Sequence, residues 1–325
     1  LASEAGARLR DMEFIQFHPT GLYPRGVLIS EACRAEGGYL VNRDGKRFMF
    51  DYDARGELAT RDIVSRGIQT EIDANRGMER KNYVGLDVRH LGREVLEHKL
   101  PIAVELARDL GGIDLAKQIL PVAPTAHYFM GGIAASCNCE VYEQKRNNSK
   151  KNFAETKSVI PGLFAAGECA CLSVHGANRL GCNSLLDAVV YGKRSGEQSA
   201  AYARTVNYQP IAGSQLREFA AVVDGERHRN AQGRSSGQIR ADLQQGMTER
   251  CGIFRSKRRL NEQIQAIQTL QSELETVRVS YKDGWAQTVV EKKELATMLA
   301  VALLVVESAL AREGSVGAHW RVDTK

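Results

Sequence analysis

No stretch of the chain is apolar for long enough to cross a bilayer as an uninterrupted run. The nearest, Met298 to Val306, stops at Glu307 after nine residues, against the ~18 that such a span needs. It reads as a helix buried in a soluble protein. No charged, apolar and small leader opens the chain. Prolines number seven and aromatics make up 6% of 325 residues, in an otherwise ordinary globular composition, so collagen-like and disordered classes are excluded. Cys-x-x-Cys spacing is absent. The seven cysteines are Cys33, Cys137, Cys139, Cys169, Cys171, Cys182 and Cys251. With pairs only two residues apart, the usual zinc signal is missing and no metal is expected. An odd, scattered count points to structural thiols in a reducing compartment. Strong charge of one sign is also lacking. Lys and Arg total 44 against 39 Asp and Glu, a net +5, which is no nucleic-acid footprint. Neither a Gly-Lys-Ser/Thr phosphate loop nor a Gly-x-Gly-x-x-Gly fingerprint is present.

The length predicts about two domains with ample core. The first ten residues read as the tail of a helix. Val27–Ser30 reads as a strand, and Tyr39–Met49 alternates around Asp44-Gly45, a hairpin signal. A helix is expected over 58–75, with Thr60 as N-cap. A second is expected over 91–110, bent or begun again at Pro101. Pro121–Ile133, with two prolines and a Gly pair, reads as a shaped loop. Glu143–Ser158 is polar and basic, a solvated surface loop. Pro161–Glu168 reads as a short buried strand entering a Gly turn. Asn183 or Ser184 is the expected N-cap of an apolar helix running to Tyr191. From about Gln215 the chain reads as an all-helical unit, with long helices over 260–277 and 291–311.

What stands out is a set of Arg, His and Glu residues in Gly-rich, otherwise apolar loops. They are His18 in Gln-Phe-His-Pro-Thr-Gly, Glu31 and Arg34 in Ser-Glu-Ala-Cys-Arg-Ala-Glu-Gly-Gly, Arg61 and Asp62 at a helix start, His127 in Pro-Thr-Ala-His-Tyr, and His175 and Arg179 in His-Gly-Ala-Asn-Arg-Leu-Gly. Taken singly, each has an ordinary reading as a surface Arg or a core His. Together, several Arg and His with little negative charge suit a dicarboxylate, because a guanidinium forks a carboxylate in two parallel bonds.

These motifs carry a family resemblance. Met12–Gly21, Ser30–Gly38, Leu58–Ser65, Pro124–Ile133, Gly162–Glu168 and, most closely, His175–Gly192 resemble the flavoprotein subunit of succinate dehydrogenase and fumarate reductase, in collinear order. Met247–Leu260, with Cys-Gly-Ile-Phe-Arg, and Gly317-Ala-His319 resemble that family's helical domain and C-terminal region.

The resemblance implies an α+β or α/β fold. An FAD-binding (Rossmann-like) remnant would carry an α+β capping domain and a C-terminal helical domain. The segments would be 1–18 (end of a first FAD-binding segment), 19–126 (capping), 127–205 (returning FAD-binding segment) and 206–325 (helical). It implies FAD as cofactor and a small dicarboxylate as substrate. Electrons would pass to or from an iron-sulfur subunit and, through it, a membrane anchor with quinone. The location implied is the cytoplasmic face of a bacterial inner membrane or the mitochondrial matrix face, in a membrane-associated complex of the tricarboxylic acid cycle or anaerobic respiration.

Residue by residue, Arg61 resembles the proton donor and acceptor, with Glu31 and Arg34 the relay that returns its proton, Glu31 acting through Arg34. His18, Ser30, His127 and Arg179 resemble ligands of the substrate carboxylates, Ser30 standing where the family usually has Thr. Glu168, Asn183, Ser184 and Leu185 fall on FAD-contacting positions. Three departures accompany the match. The dinucleotide fingerprint and the segment with the flavin-linking His are missing, the connection 141–159 is longer than usual, and the chain stops before the family's acidic, Pro-containing end. An L-aspartate oxidase-like flavoenzyme, which shares the His-Gly-Ala-Asn-Arg motif, is an alternative. A flavin-free fragment acting only in assembly or partner binding is another.

Overall fold

The computed structural model describes residues 1–144, 158–208, 210–227, 233–277 and 287–324. The centre of the long connection at 141–159 lies outside the described residues. In chain order the elements are β1 (Leu9–Arg10), β2 (Ile15–Leu22), β3 (Val27–Leu28), α1 (Ala32–Ala35), β4 (Tyr39–Val41), α2 (Arg61–Asp73), β5 (Val84–Asp87), α3 (Gly92–Lys99), α4 (Pro101–Gly111) and β6 (Leu120–Phe129). They continue with β7 (Gly132–Ala134), β8 (Glu140–Tyr142), β9 (Val159–Phe164), β10 (Ala170–Cys171), α5 (Asn183–Ala203), α6 (Gly213–Arg227), α7 (Ser236–Cys251), β11 (Phe254–Arg255), α8 (Lys257–Leu274), α9 (Gln287–Ala311) and β12 (Trp320–Arg321). Two compact units result, one of residues 15–129 and one of residues 1–14 with 130–325.

The 15–129 unit is built on a five-stranded sheet in the order β3-β2-β6-β5-β4, every pair antiparallel. Helix α2 packs on β2 and β6. Its buried positions Val64, Ser65, Gly67, Ile68 and Glu71 follow the helical repeat and form one stripe. Phe48, Met49, Leu40, Leu86, Leu120 and Val122 close the core around it. Gly67 allows a close approach, since a Cβ there would meet the Met49 sulfur at 3.0 Å and Met49 would have to give way. Pro101 restarts the helix as expected, standing at the first position of α4 where its missing N–H costs nothing.

Several expectations are corrected. Pro121–Ile133 is not a loop, because most of it is the ten-residue strand β6. Pro124 is accommodated by irregular pairing, for it lies where the register with β2 shifts, while Pro121 sits in the regular ladder opposite Gly85. The Asp44-Gly45 turn exists, with Gly45 at φ 73°, but it closes only a single bridge, Val41 to Arg47. The Asn42 side chain accepts from the Asp44 and Lys46 amides, and β4 takes β5 as its ladder partner instead. Thr60 does occupy the N-cap, yet its hydroxyl donates to Asp62 at 2.6 Å rather than accepting from the helix backbone.

In the other unit, residues 1–10 form turns and then β1, not a helix tail. Gly6 turns the chain at φ 82° and β1 pairs with β7. Strand β9 is as expected but not buried, with Pro161 and Gly162 exposed. The N-cap of α5 is Cys182, in a left-handed conformation, rather than Asn183 or Ser184. That helix buries only Asp187, leaving Leu185, Leu186 and Val189 exposed. Of the seven free thiols, Cys137, Cys169 and Cys182 are exposed, so burial accounts only for the other four.

The helical tail is present as α6 to α9. Helix α7 starts with a reciprocal capping box between Ser235 and Gln238. Ser235 is also the centre of Gly233-Arg-Ser-Ser-Gly237, which has the spacing of a nucleophile elbow, but its hydroxyl is engaged in the cap. Helix α9 is long and apolar enough to cross a membrane by length and composition. One stripe of it, with Leu295, Leu299, Ala302, Val305, Val306 and Ala309, is buried, and it packs on α7 and α8.

Candidate active site

The sheet of the 15–129 unit brings distant side chains together by two compensating irregularities. Gln16 pairs with Tyr128 and Phe17 with Ala126, so His127 is an extra residue on β6. Two residues later His18 pairs with Thr125 and Gly21 with Ala123, so β2 now carries the extra residue. Bulges re-aim side chains, and here the His127 ring stands edge-on to the His18 ring, centroids 5.4 Å apart. Gln16 and His18 share one face of β2 by the two-residue period of a strand, and both are buried.

Glu31 and Arg34 come from the short turn of α1. Three residues apart on a helical turn they lie on one face, and Arg34 Nη2 donates to Glu31 Oε1 at 3.0 Å. Ser30 begins that turn, its hydroxyl accepting from the Ala32 amide at 3.2 Å. Arg61 opens α2. Its Nε and Nη2 donate to Glu31 Oε2 at 3.0 and 2.7 Å, and its Nη1 donates to Gln16 Oε1 at 3.1 Å. Thus one carboxylate stands between two guanidiniums, in the order Arg61, Glu31, Arg34. The expected order, with Glu31 acting through Arg34, is corrected by these contacts: Glu31 touches Arg61 directly.

The electrostatics follow from burial. Desolvation, then the neighbouring Arg61, His127 and Arg34, drive the His18 imidazole down to about 3, so it is neutral at any ordinary pH. Its Nδ1 accepts from the Thr20 amide at 3.3 Å. Burial alone would push the Glu31 carboxyl up. The hydrogen bond from Arg61 and the charges of Arg61 and Arg34 outweigh burial and hold it below the usual carboxylate range. Desolvation lowers Arg34, against the opposing pull of Glu31. Glu31 keeps 41% of its side-chain exposure while Arg61 keeps 11% and Arg34 only 1%. The carboxylate is therefore the member of the set that meets water.

Arg179, Glu168, Asn183, Ser184 and Leu185 belong to the other unit. Arg179 is buried and donates from Nη1 to the Leu180 carbonyl at 3.2 Å. His175, from the same motif, has Nε2 3.4 Å from Asp187 Oδ2 of α5. Glu168 lies in a 3-10 turn at 167–169 that packs beside α5. The first turn of α5 holds no acidic residue and no side-chain cap. A helix start without an anionic cap keeps its partial positive charge for an incoming anion, and an exposed carboxylate beside it suits a ribose hydroxyl. Glu168, Asn183, Ser184 and Leu185 therefore fit a flavin nucleotide. Among the described residues no group of three or more His, Cys, Asp or Glu could hold a metal ion.

Two members of the site were not singled out in the sequence. Gln16 holds one arm of Arg61, and the signal was its two-residue spacing from His18 on a strand. Glu57, whose carbonyl accepts from Arg34, carried no signal, because its relation to Arg34 is purely tertiary.

Comparison with known proteins supports the same reading. Residues 1–185 match the FAD binding domain family and residues 240–325 the fumarate reductase flavoprotein C-terminal family. The chain is 40% identical over 327 residues to the succinate dehydrogenase flavoprotein subunit of Rickettsia bellii (strain RML369-C), covering 99% of this chain and 54% of that protein. It is 39% identical over 342 residues to the fumarate reductase flavoprotein subunit of Mycobacterium tuberculosis (strain ATCC 25618 / H37Rv), covering 99% and 56%. Among solved structures it is similar to the E. coli quinol fumarate reductase FrdA chain, in a singly substituted form, at TM-score 0.85 and 37% identity over 99% of this chain and 55% of that one. The chain spans about half the length of the curated relatives it matches.

Proposed function

The chain belongs to the FAD-binding family whose model matches residues 1–185, with the fumarate reductase flavoprotein C-terminal region following at 240–325, and on that premise we propose that it interconverts succinate and fumarate as part of a flavoprotein subunit. The observation that carries this reading is the Glu31 carboxylate held between Arg61 and Arg34, next to a neutral His18 and with His127 at its side.

FAD, when bound, supplies the hydride chemistry, and Glu168 with the α5 start at Asn183, Ser184 and Leu185 would hold it. The remaining work falls to this chain's own side chains. Fumarate reduction needs a proton delivered to one alkene carbon. Arg61 is the proposed donor. An Arg is ordinarily a poor acid, with a pKa above ~12, and what this site offers it is a carboxylate bonded to it that can pass the next proton on. Glu31 is the proposed return path, since it touches Arg61 and also meets water. Arg34 fixes the other oxygen of that carboxylate. His18, Ser30, His127 and Arg179 are the proposed ligands of the substrate carboxylates. A neutral imidazole donates one hydrogen bond there without drawing the proton from the donor.

We assign flavin binding, capping, flavin binding and helical support to the expected segments 1–18, 19–126, 127–205 and 206–325, with the capping boundaries moved to 15 and 129, where the compact unit begins and ends. The relatives are named as subunits, which supports partner chains, and we propose that these are an iron-sulfur subunit and, beyond it, a membrane anchor with quinone. Attachment at the cytoplasmic or matrix face would then be peripheral, through those partners.

The test is viologen-driven reduction of fumarate by the full-length protein loaded with FAD. Fumarate-dependent viologen oxidation is expected, with succinate as product. Reduction of the flavin by L-aspartate but not by succinate would move the assignment to an aspartate oxidase. Absence of flavin in the purified full-length protein would overturn the enzymatic reading.

A further inference from the structure

Resting on the relay proposed above, we infer that Glu57, together with Arg47, is a positioning pair that aims Arg34 at Glu31. Glu57 lies in a 3-10 turn at 56–58, four residues before Arg61, and is almost wholly buried. A buried carboxylate is costly unless its oxygens are fully hydrogen-bonded, and this one is. The Leu40 amide donates to Oε1 at 3.1 Å. Arg47 grips both oxygens, from Nε at 3.0 and 3.1 Å and from Nη2 at 2.7 Å. Those bonds pin the 56–58 turn to strand β4.

The pinned turn presents its own main-chain carbonyl to the relay: Arg34 Nη1 donates to the Glu57 carbonyl. Among the described residues Arg34 has two anchored arms, this one and its bond to Glu31, and its buried Nε has no hydrogen-bond partner. The direction in which its fork points is therefore set by where the Glu57 carbonyl stands. Glu57 touches neither of the two groups that would carry the proton, Arg61 and Glu31, so its effect is indirect. Arg47 is partly exposed, lies between the Tyr39 and Phe50 rings at 4.2 and 4.8 Å, and can be altered without opening the core.

The prediction separates positioning from simple stability. If the Arg34 fork loosens, Glu31 loses one of the cations that hold its proton affinity down. The groups facing Glu31 are Arg61, Arg34 and His18. With Arg34 misaligned, the pH limb governed by proton return moves upward. In full-length, FAD-loaded protein, E57Q should lower kcat for fumarate about tenfold, less than the roughly hundred- to ten-thousandfold carried by a proton-transfer group itself. It should raise that pH limb and leave KM for fumarate within about twofold, because the carboxylate ligands are untouched. R47K keeps a charge on Glu57 but loses the fork, and should shift kcat and the limb in the same direction by a smaller factor.

Should E57Q fail to hold flavin, R47K alone decides. Parental kcat and an unmoved pH limb in R47K overturn the inference, as does a rise in KM with kcat unchanged. R61Q is the control for the underlying reading. If R61Q turns over normally, the relay itself is wrong and takes this inference with it. If R61Q is dead while R47K and E57Q behave as the parent, only the positioning role is lost.

Discussion

The molecule buries two clusters of arginine, carboxylate and histidine, one in each unit. In the 1–14 and 130–325 unit, Arg255 donates to the carbonyls of Gly252 and Glu13 at 3.0 and 2.7 Å and to His319 Nδ1 at 2.9 Å. Arg312 reaches Glu13 and Asp11, and His319 Nε2 and Arg321 both use the Arg312 carbonyl. Of these seven bonds, four end on main-chain oxygens and three join segments about 240 to 300 residues apart. The cluster in the 15–129 unit uses the same residue types, but Arg61 and Arg34 meet on the side chain of Glu31, which is partly in water. Backbone acceptors cannot take up a proton or move without unfolding, whereas a wetted carboxylate can do both. Chemically similar clusters thus divide into a clasp, whose fully buried Arg255 is bonded to main-chain oxygens and an imidazole, and a proposed relay, whose Arg61 and Arg34 meet on a partly wetted carboxylate.

The sharpest way to break that distinction is Glu31→Gln. Fumarate turnover should fall about a thousandfold, within the range for losing a general acid or base, while the thermal midpoint stays near the parent's. In the clasp, Arg255→Met should do the reverse. It orphans two buried carbonyls and an imidazole nitrogen and should cost about 3 kcal/mol in denaturant unfolding, with activity per folded molecule unchanged.

Glu71 sharpens the comparison from within the relay's own unit. It sits on α2 like Arg61, yet its carboxylate is enclosed by Tyr52, Asn42 and Arg76. Burial would raise it, but those bonds win and hold it at about 2 against an ordinary 4.5. A depressed carboxylate contributes its stability above the unfolded value and loses it as pH falls toward the folded one. Glu71→Gln should therefore cost about 2 kcal/mol at pH 7, a difference that shrinks from pH 4.5 downward and vanishes near pH 2. Arg312→Lys keeps the clasp's charge but not its two-pronged reach, and should cost only about 1 kcal/mol.

Much of the side-chain cluster in the 15–129 unit was legible in the sequence, and the reasons are local. His18, Glu31, Arg34, Arg61 and His127 stood out because charged residues in Gly-rich apolar loops have few structural uses. The helical tail and the restart at Pro101 were legible from periodicity and from the fixed geometry of proline. Pro121–Ile133 was misjudged because two prolines mask a strand, one tolerated at a register shift and one in a regular ladder, and a neighbouring register shift places His127. The first ten residues were misjudged because Leu9 and Arg10 take their structure from β7, more than a hundred residues away. Glu57 and the clasp were illegible for the same reason: their partners are set by tertiary contact, not by spacing.

The central claim is that Arg61 delivers the proton and does not merely bind. Full-length, FAD-loaded protein carrying Arg61→Gln should be compared with the parent for dicarboxylate affinity and for fumarate turnover in the same preparation. The account predicts affinity within about fivefold of the parent and turnover reduced at least about a thousandfold. Turnover falling only in proportion to weakened binding would contradict it.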